Sequence, residues 1–319
     1  MKEQEFLKKF SDSLQTLESD LETETEEKVV NVFVMGLPRS GTTLLTQLLY
    51  KNTDLYCTNN LIARFGKTPL VGAQLSKFTI SKSISDHYQS DYGRTFELDD
   101  PHEFSWFWHD LLHVQKVDQY TPEKVSNLID WNKVRTKIIN LNRILEGGIV
   151  FKPMELLGFH LSQFSELFKQ ALFVYIRRDP MEVALSIFEA RRAHDCGEDS
   201  WWGSYPPKAI YNKLKQKEEL LQIAHQVLYF KSLYEKQLTK LAANKVLKTS
   251  YKSVCNSPSG FLGEIKTCAK KLGGNLTITN IPQPLSLRQK NSEKSVLEEL
   301  GNAFKVAESE IALSPDLNP

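Results

Sequence analysis

The stretch VFVMGLPRSGTTLLTQLL, residues 32–49, decides the fold of this 319-residue chain. It continues a short β-branched apolar run, residues 29–35, whose length and composition predict a buried strand. A glycine-containing turn follows, and residues 42–50 then predict a helix. A strand that enters a helix through such a turn is the context in which phosphate-binding loops occur.

The turn, residues 36–43, has the G-x-x-x-x-G spacing of a phosphate-binding loop. Its glycines let backbone N–H groups curl around an anion, and the helix N-terminus adds partial positive charge. Thr42 stands where a triphosphate-binding loop places its lysine, so an ATPase or kinase is disfavoured. The alternative is a strand–turn–helix with a chance glycine spacing. The residues expected to hold an oxyanion are Arg39, Ser40, Gly41, Thr42 and Thr43.

Beyond this loop, strand-like and helical segments alternate along the chain, while residues 51–105 look irregular. Alternation of this kind predicts an α/β fold with a P-loop-type parallel sheet covered by helices on both faces. We expect residues 1–28 to form an amphipathic helix with a charged linker, and residues 29–319 to form a single domain. Further strands are predicted at 147–152 and 244–251, and residues 171–180 are predicted to be a strand that runs into a loop. Helices are predicted at 3–19, 104–114, 122–146, 158–169, 180–192, 209–243, 258–272 and 292–308.

Composition narrows the functional classes. The net charge of +1 gives no argument for nucleic-acid binding. The four cysteines form no CxxC pair and no zinc-like spacing, so no metal site is expected. No apolar run approaches the ~20 residues of a membrane span, and the N-terminus is acidic and polar rather than signal-like. A cytoplasmic protein with no membrane partner is therefore the expectation, and the sequence gives no oligomeric state.

The segment GLPRSGTT resembles the 5′-phosphosulfate-binding loop of sulfotransferases that use 3′-phosphoadenosine 5′-phosphosulfate (PAPS). Its PRSGTT form is closer to the Golgi, tyrosylprotein and bacterial branches than to the cytosolic branch, which has PKSGTT. The resemblance covers roughly residues 29–275. It implies that Arg39 binds the 5′-phosphate and sulfonyl oxygens, and that adenosine 3′,5′-bisphosphate (PAP) is the product, with no metal required.

A second motif carries the same resemblance. The segment VYIRRDPMEVALSIFEARR places Arg178 at a strand end and Ser186 eight residues later, the spacing of the family's 3′-phosphate site. An arginine fork and a serine hydroxyl are suitable phosphate ligands. The alternative pairs Arg178 with Asp179 and leaves Ser186 on a helix face. Tyr251, in a stretch that resembles the family's late strand, lies near the adenine or the 3′-phosphate, or else packs on the core.

The catalytic base is the least defined part of the site. The tyrosylprotein branch has a glutamate 21 residues after the loop arginine, and here Asn60 stands at that position. The family's K-x-P-x-H histidine is also missing, because the segment reads KPMEL from Lys152. Glu155 and His102 are the candidate bases. Lys152 either stabilises the sulfonyl oxygens or is a solvated surface lysine.

These features predict an enzyme that transfers a sulfuryl group from PAPS to a hydroxyl or amine of a small-molecule acceptor. The acidic segment ELDDPHE, residues 97–103, is either a solvated loop or a pocket for a cationic natural product, a product of secondary metabolism. The rival functions are a P-loop small-molecule or nucleotide kinase, and a nucleotide-binding protein of this fold without transferase activity.

Overall fold

The computed structural model describes residues 2–82, 88–152, 155–194, 201–287 and 294–319. Its centre is a sheet of five strands in the order β2-β3-β1-β4-β5, and all of its pairs are parallel. This confirms the predicted α/β fold. The strands are β1 Asn31–Met35, β2 Tyr56–Cys57, β3 Ile149–Phe151, β4 Ala171–Arg177 and β5 Val246–Ser250.

Helices cover the sheet, and short 3-10 turns join several of them. Among the turns, Glu155–His160 follows β3 and Ala243–Lys245 precedes β5. The helices are α1 Glu3–Ser13, α2 Gln15–Asp20, α3 Thr42–Asn52, α4 Asn60–Ala63, α5 Pro69–Thr79, α6 Ser105–Leu111, α7 Pro122–Val125, α8 Trp131–Leu145, α9 Leu161–Leu167, α10 Pro180–Ala193, α11 Lys208–Leu214, α12 Glu219–Leu238, α13 Tyr251–Asn256, α14 Pro258–Lys271 and α15 Lys294–Leu313.

The central strands are buried on both faces, which explains their continuous apolar sequence. In β1, Phe33 and Met35 join the larger core with α8, α9, α10, α12 and α15. Val32 and Val34 point the other way, into a second core with α3, α13 and α14. Because successive strand side chains alternate between faces, one short strand anchors both layers.

Four of the predicted segments differ from the observed elements. The expected helices at 3–19, 122–146 and 209–243 are each broken into two, and residues 51–105 contain β2, α4 and α5 rather than being irregular. In α5, buried Leu70, Val71 and Ala73 pack towards the body, and Gly72 lets the backbone approach Phe65. Tertiary packing therefore outweighs the weak local helix signal of this glycine-containing segment. The sequence also predicts a loop at residues 195–207, of which residues 195–200 lie outside the described residues.

In the described residues, we find no helix that combines the length and apolarity needed to cross a membrane.

Candidate functional site

The phosphate-loop segment lies at the carboxyl end of β1, the edge of a parallel sheet where ligands bind in such folds. Gly41 adopts a φ of 101°, and a Cβ there would lie 2.6 Å from the Tyr251 ring. A Cβ on Gly36 would lie 2.9 Å from the Ile176 carbonyl oxygen. The Ser40 hydroxyl donates to the Leu37 carbonyl at 2.7 Å. The sequence thus forms a tight cradle that side chains at the two glycines would fill.

Arg39 lies at the tip of the cradle in a left-handed conformation, with a φ of 68°. Its Nε donates to the Ser186 hydroxyl at 3.0 Å. Its guanidinium lies 5.1 Å from the ring centre of Tyr92 and 6.0 Å from that of Trp202. The aromatic rings and the serine fix the position of a cation directly beside the loop.

The second predicted anchor reaches the same loop. Arg178 follows β4 and donates from its Nη1 to the Arg39 carbonyl at 3.0 Å. Its Nε lies 2.7 Å from the exposed Glu182 carboxylate, and its guanidinium lies 4.7 Å from the Tyr251 ring centre. The alternative partner, Asp179, instead accepts from Met181 N at 2.8 Å and caps α10.

A cavity of about 620 Å³ unites these groups, a size typical of small-ligand pockets. Most of the predicted binding residues line it, whereas Ser40 and Ser186, both fully buried, do not. Three arginines and one carboxylate are its charged lining residues in the described part of the chain, so the local charge favours an anion. The predicted residues on its wall are Arg39, Gly41, Thr42, Thr43, Arg178 and Tyr251.

Lys152 follows β3 and is only 4% exposed, so the solvated-surface alternative does not hold. Its ammonium donates to the Gly93 carbonyl and lies 3.1 Å from Glu103 Oε1. The Gly93 carbonyl also accepts from Thr43 Oγ1 at 3.4 Å. A turn at residues 91–94, with positive φ at Tyr92 and Gly93, therefore joins Lys152 to the phosphate loop.

Of the two expected bases, the structure describes the side chain of His102. His102 Nδ1 accepts from Phe104 N at 2.8 Å, so its ring proton lies on Nε2 in the neutral form. Burial and the nearby Lys152 ammonium lower the pKa of His102, which also favours that neutral form. Glu155 begins a 3-10 turn, but its side chain lies outside the described part of the structure. His102 is not among the described residues that line the cavity.

Asn60 and the acidic segment 97–103 have structural contacts. The Asn60 amide donates to the Glu97 carbonyl at 2.7 Å and to Thr95 Oγ1 at 3.1 Å, so it ties this segment to α4. Asp100 is buried, with its carboxylate 3.8 Å from the Lys51 ammonium and 3.3 Å from the Gln47 amide. Among the four acids of the segment, only Glu103 lines the cavity.

Sequence reasoning missed three parts of this site. Glu103 was grouped with its acidic neighbours because no local pattern separates it from them. Tyr92 and Gly93 lie in the sequence DYGR, where the aromatic–glycine pair was an available signal for a tight turn. Trp202 lies in the sequence WWG, which gives no local indication of its partner, and the structure places its ring near Arg39.

The chain resembles known proteins in its sequence and in its fold. The model of the Sulfotransferase family matches residues 31–267. The sulfotransferase STF1 from Mycobacterium tuberculosis H37Rv aligns with a TM-score of 0.51 at 15% identity, covering 93% of this chain and 81% of that chain. A sulfotransferase from Alicyclobacillus acidocaldarius aligns with a TM-score of 0.45 at 14% identity, covering 90% and 96% respectively. The comparison with curated proteins finds no match.

Proposed function

Because the chain belongs to the sulfotransferase family, we propose that it transfers a sulfuryl group from PAPS to a hydroxyl or amine of a small-molecule acceptor. One observation carries the proposal. The phosphate loop and the distant Arg178 lie on one cavity and are joined by the hydrogen bond from Arg178 to the Arg39 carbonyl. Neither a triphosphate-binding loop nor a chance glycine turn needs this second cationic anchor.

The residues present fit a donor that carries phosphate groups on both the 3′ and the 5′ positions of its ribose. At Gly36 and Gly41 the cradle has no room for a side chain. Its backbone N–H groups and the N-terminus of α3 are suited to bind the 5′-phosphosulfate. Arg178, stacked on Tyr251, suits the 3′-phosphate, since guanidinium binds phosphate in a fork geometry. Ser186 acts by positioning Arg39, because its hydroxyl accepts a hydrogen bond from the Arg39 Nε.

When bound, PAPS supplies an activated sulfuryl group and a bisphosphate leaving group. Arg39 and the loop amides neutralise negative charge beside the cradle, and positioned charges of this kind account for much of the catalysis of such transfers. Thr43 and Lys152 present two further donors at the same place. The nearly buried Lys152 is held where an anionic oxygen would replace the Gly93 carbonyl as its acceptor.

The acceptor is a small molecule that fits beside the donor in the same cavity. Among the acids of residues 97–103, Glu103 is the one that lines the cavity and would contact a cationic acceptor. Tyr92 and Trp202 offer aromatic surface next to Arg39, so we expect acceptors with an apolar or aromatic body.

The test is ligand-dependent thermal stability followed by transfer. We expect PAP to raise the melting temperature more than Mg-ATP, and we expect radiolabelled sulfate to move from PAPS to phenolic, alcoholic or amine acceptors. Stabilisation by Mg-ATP alone would favour the kinase. Stabilisation by PAP with no transfer to any acceptor of a broad panel would favour a nucleotide-binding protein without transferase activity.

A further inference from the structure

We infer that Glu103 is the general base of the transfer, held against the cavity wall by Lys152. This inference rests on the proposed function and assigns the role for which His102 and Glu155 are the candidates from the sequence. The position is unexpected, because the resemblance directs attention to residue 60, whereas the carboxylate comes from a segment 43 residues further along the chain.

The chemistry of the cavity wall is the first argument. A base must have a free lone pair within reach of the acceptor, and carboxylate and imidazole are the usual groups near neutral pH. Among the described residues that line the cavity, Glu103 is the single carboxylate, and no histidine is present. Its side chain is 46% exposed, so it is open to a ligand in the cavity.

The position of Glu103 relative to the phosphate loop is the second argument. Its Oε1 lies 3.1 Å from the Lys152 ammonium, which also donates to the Gly93 carbonyl. That carbonyl accepts from Thr43 of the loop, so three successive contacts join Glu103 to the cradle. The same turn places the Tyr92 ring over Arg39. The carboxylate thus lies on the side of the cavity where the sulfuryl group is expected.

The backbone around Glu103 is firmly anchored, which a positioned base requires. His102 N donates to the Thr58 carbonyl at 2.7 Å, and Phe104 N donates to His102 Nδ1. Phe104 is 1% exposed and stacks on Phe107 with ring centres 4.5 Å apart. His102 therefore has a positioning role beside Glu103, and Lys152 restrains the carboxylate itself.

The proposed step balances without another reactant. The acceptor oxygen forms a bond to the sulfur of PAPS, and the bond between that sulfur and the bridging oxygen of the 5′-phosphate breaks. The electron pair of the broken bond stays on the phosphate oxygen, which leaves as part of PAP. The hydroxyl proton passes to the Glu103 carboxylate and then to solvent. Lys152 and Arg39 remain positively charged throughout.

The experiment compares Glu103→Gln with the parental enzyme and with Glu97→Gln. Glu97 is the matched control, an exposed acid of the same segment whose side chain does not line the cavity. Initial rates are measured with an alkanol, phenol and 4-nitrophenol, whose hydroxyls are increasingly acidic. We expect Glu103→Gln to lower kcat by about 10²- to 10⁴-fold with the alkanol and far less with 4-nitrophenol, because a weakly basic acceptor needs little assistance. Glu97→Gln should match the parent with all three.

A further readout separates a base from a residue that only supports the fold. Stabilisation by PAP should be unchanged in both variants. Equal loss with all three acceptors, or a rate equal to the parent, overturns the role of Glu103 while the proposed function stands. If the parent neither transfers sulfate nor is stabilised by PAP, the proposed function itself fails, and the role of Glu103 falls with it.

Discussion

In the described part of the chain, Arg178 contacts the Arg39 carbonyl, the Tyr251 ring and the carboxylate of Glu182. Glu182 is 58% exposed, so its ion pair with Arg178 adds little to stability, about 1 kcal/mol or less. Arg178→Ala should therefore leave folding nearly intact but weaken PAP binding by about 10- to 100-fold, as expected for the loss of a charge-assisted phosphate contact. Isothermal titration with PAP measures the affinity, and urea unfolding measures the stability.

The neighbouring Arg177 provides the control for this prediction. It is exposed, ends β4 and does not line the cavity. Arg177→Ala removes the same charge from the molecule without removing the proposed ligand, so PAP affinity should stay within about twofold of the parent. Similar losses in the two variants would mean that overall charge, and not the position of Arg178, determines the affinity.

Gly41 is constrained by its backbone conformation and by its neighbour. At a φ of 101°, an L-residue is strained, and its Cβ would lie 2.6 Å from the Tyr251 ring. Gly41→Ala should lower the free energy of unfolding by about 2 kcal/mol. Gly263 is the control, because it lies inside α14 with nothing within 4 Å of an added Cβ. Gly263→Ala should raise the free energy by about 0.5–1 kcal/mol. Urea unfolding measures the change in the free energy of unfolding for both variants. A change of the same sign in the two variants would contradict this explanation.

At the scale of elements, β1 and β4 were predictable because a buried parallel strand is apolar on both faces and has a local signature. The end of α14 was also predictable, since Gly273 and Gly274 close it with bonds to Lys270 O and Ala269 O. The breaks at Leu14 and between α11 and α12 were not. No proline or glycine marks them, and they depend on packing against distant parts of the chain.

The last helix, α15, lies beyond the region matched by the family model and still belongs to the main core. Phe304 is 8% exposed and packs in the larger core, whereas Val306 is 46% exposed. Phe304→Ala should lower the free energy of unfolding by about 3 kcal/mol, and Val306→Ala should change it by less than about 0.5 kcal/mol. Urea titration followed by tryptophan fluorescence tests both. A small effect of Phe304→Ala would show that α15 contributes little to the core.

At the scale of the whole molecule, the cavity of the candidate site is lined by segments that lie between Gly36 and Ser286 in the sequence. The loop and Arg178 could be found in the sequence because phosphate binding imposes a spacing. Glu103 could not, because only the parallel arrangement of the strands, with Lys152 after β3, brings it to the cavity. Residues that would bind an anionic donor can therefore be recognised from their sequence spacing, whereas the proposed proton acceptor is recognised only from the tertiary structure.

Buried histidines make the stability of the whole molecule depend on pH. Burial lowers the pKa of His160 to about 4, and its Nε2 is hydrogen-bonded to the Tyr120 hydroxyl at 2.6 Å. Burial also lowers the pKa values of His102, His109 and His225. For each, the unfolded chain takes up the proton first as pH falls, so stability is fully present above pH ~6.5 and declines below it.

His160→Gln isolates the largest of these contributions, because glutamine does not titrate and its amide oxygen can still accept from Tyr120. Between pH ~6.5 and ~4, the parent should lose about 3 kcal/mol more stability than this variant, the free energy equivalent of the pKa difference. Urea unfolding at several pH values between 7.5 and 4 measures the two curves. The exposed His113, at a φ of 53°, supplies the control His113→Asn, whose curve should run parallel to the parent. Parallel curves for His160→Gln and the parent would mean that His160 is already accessible to protons in the folded protein.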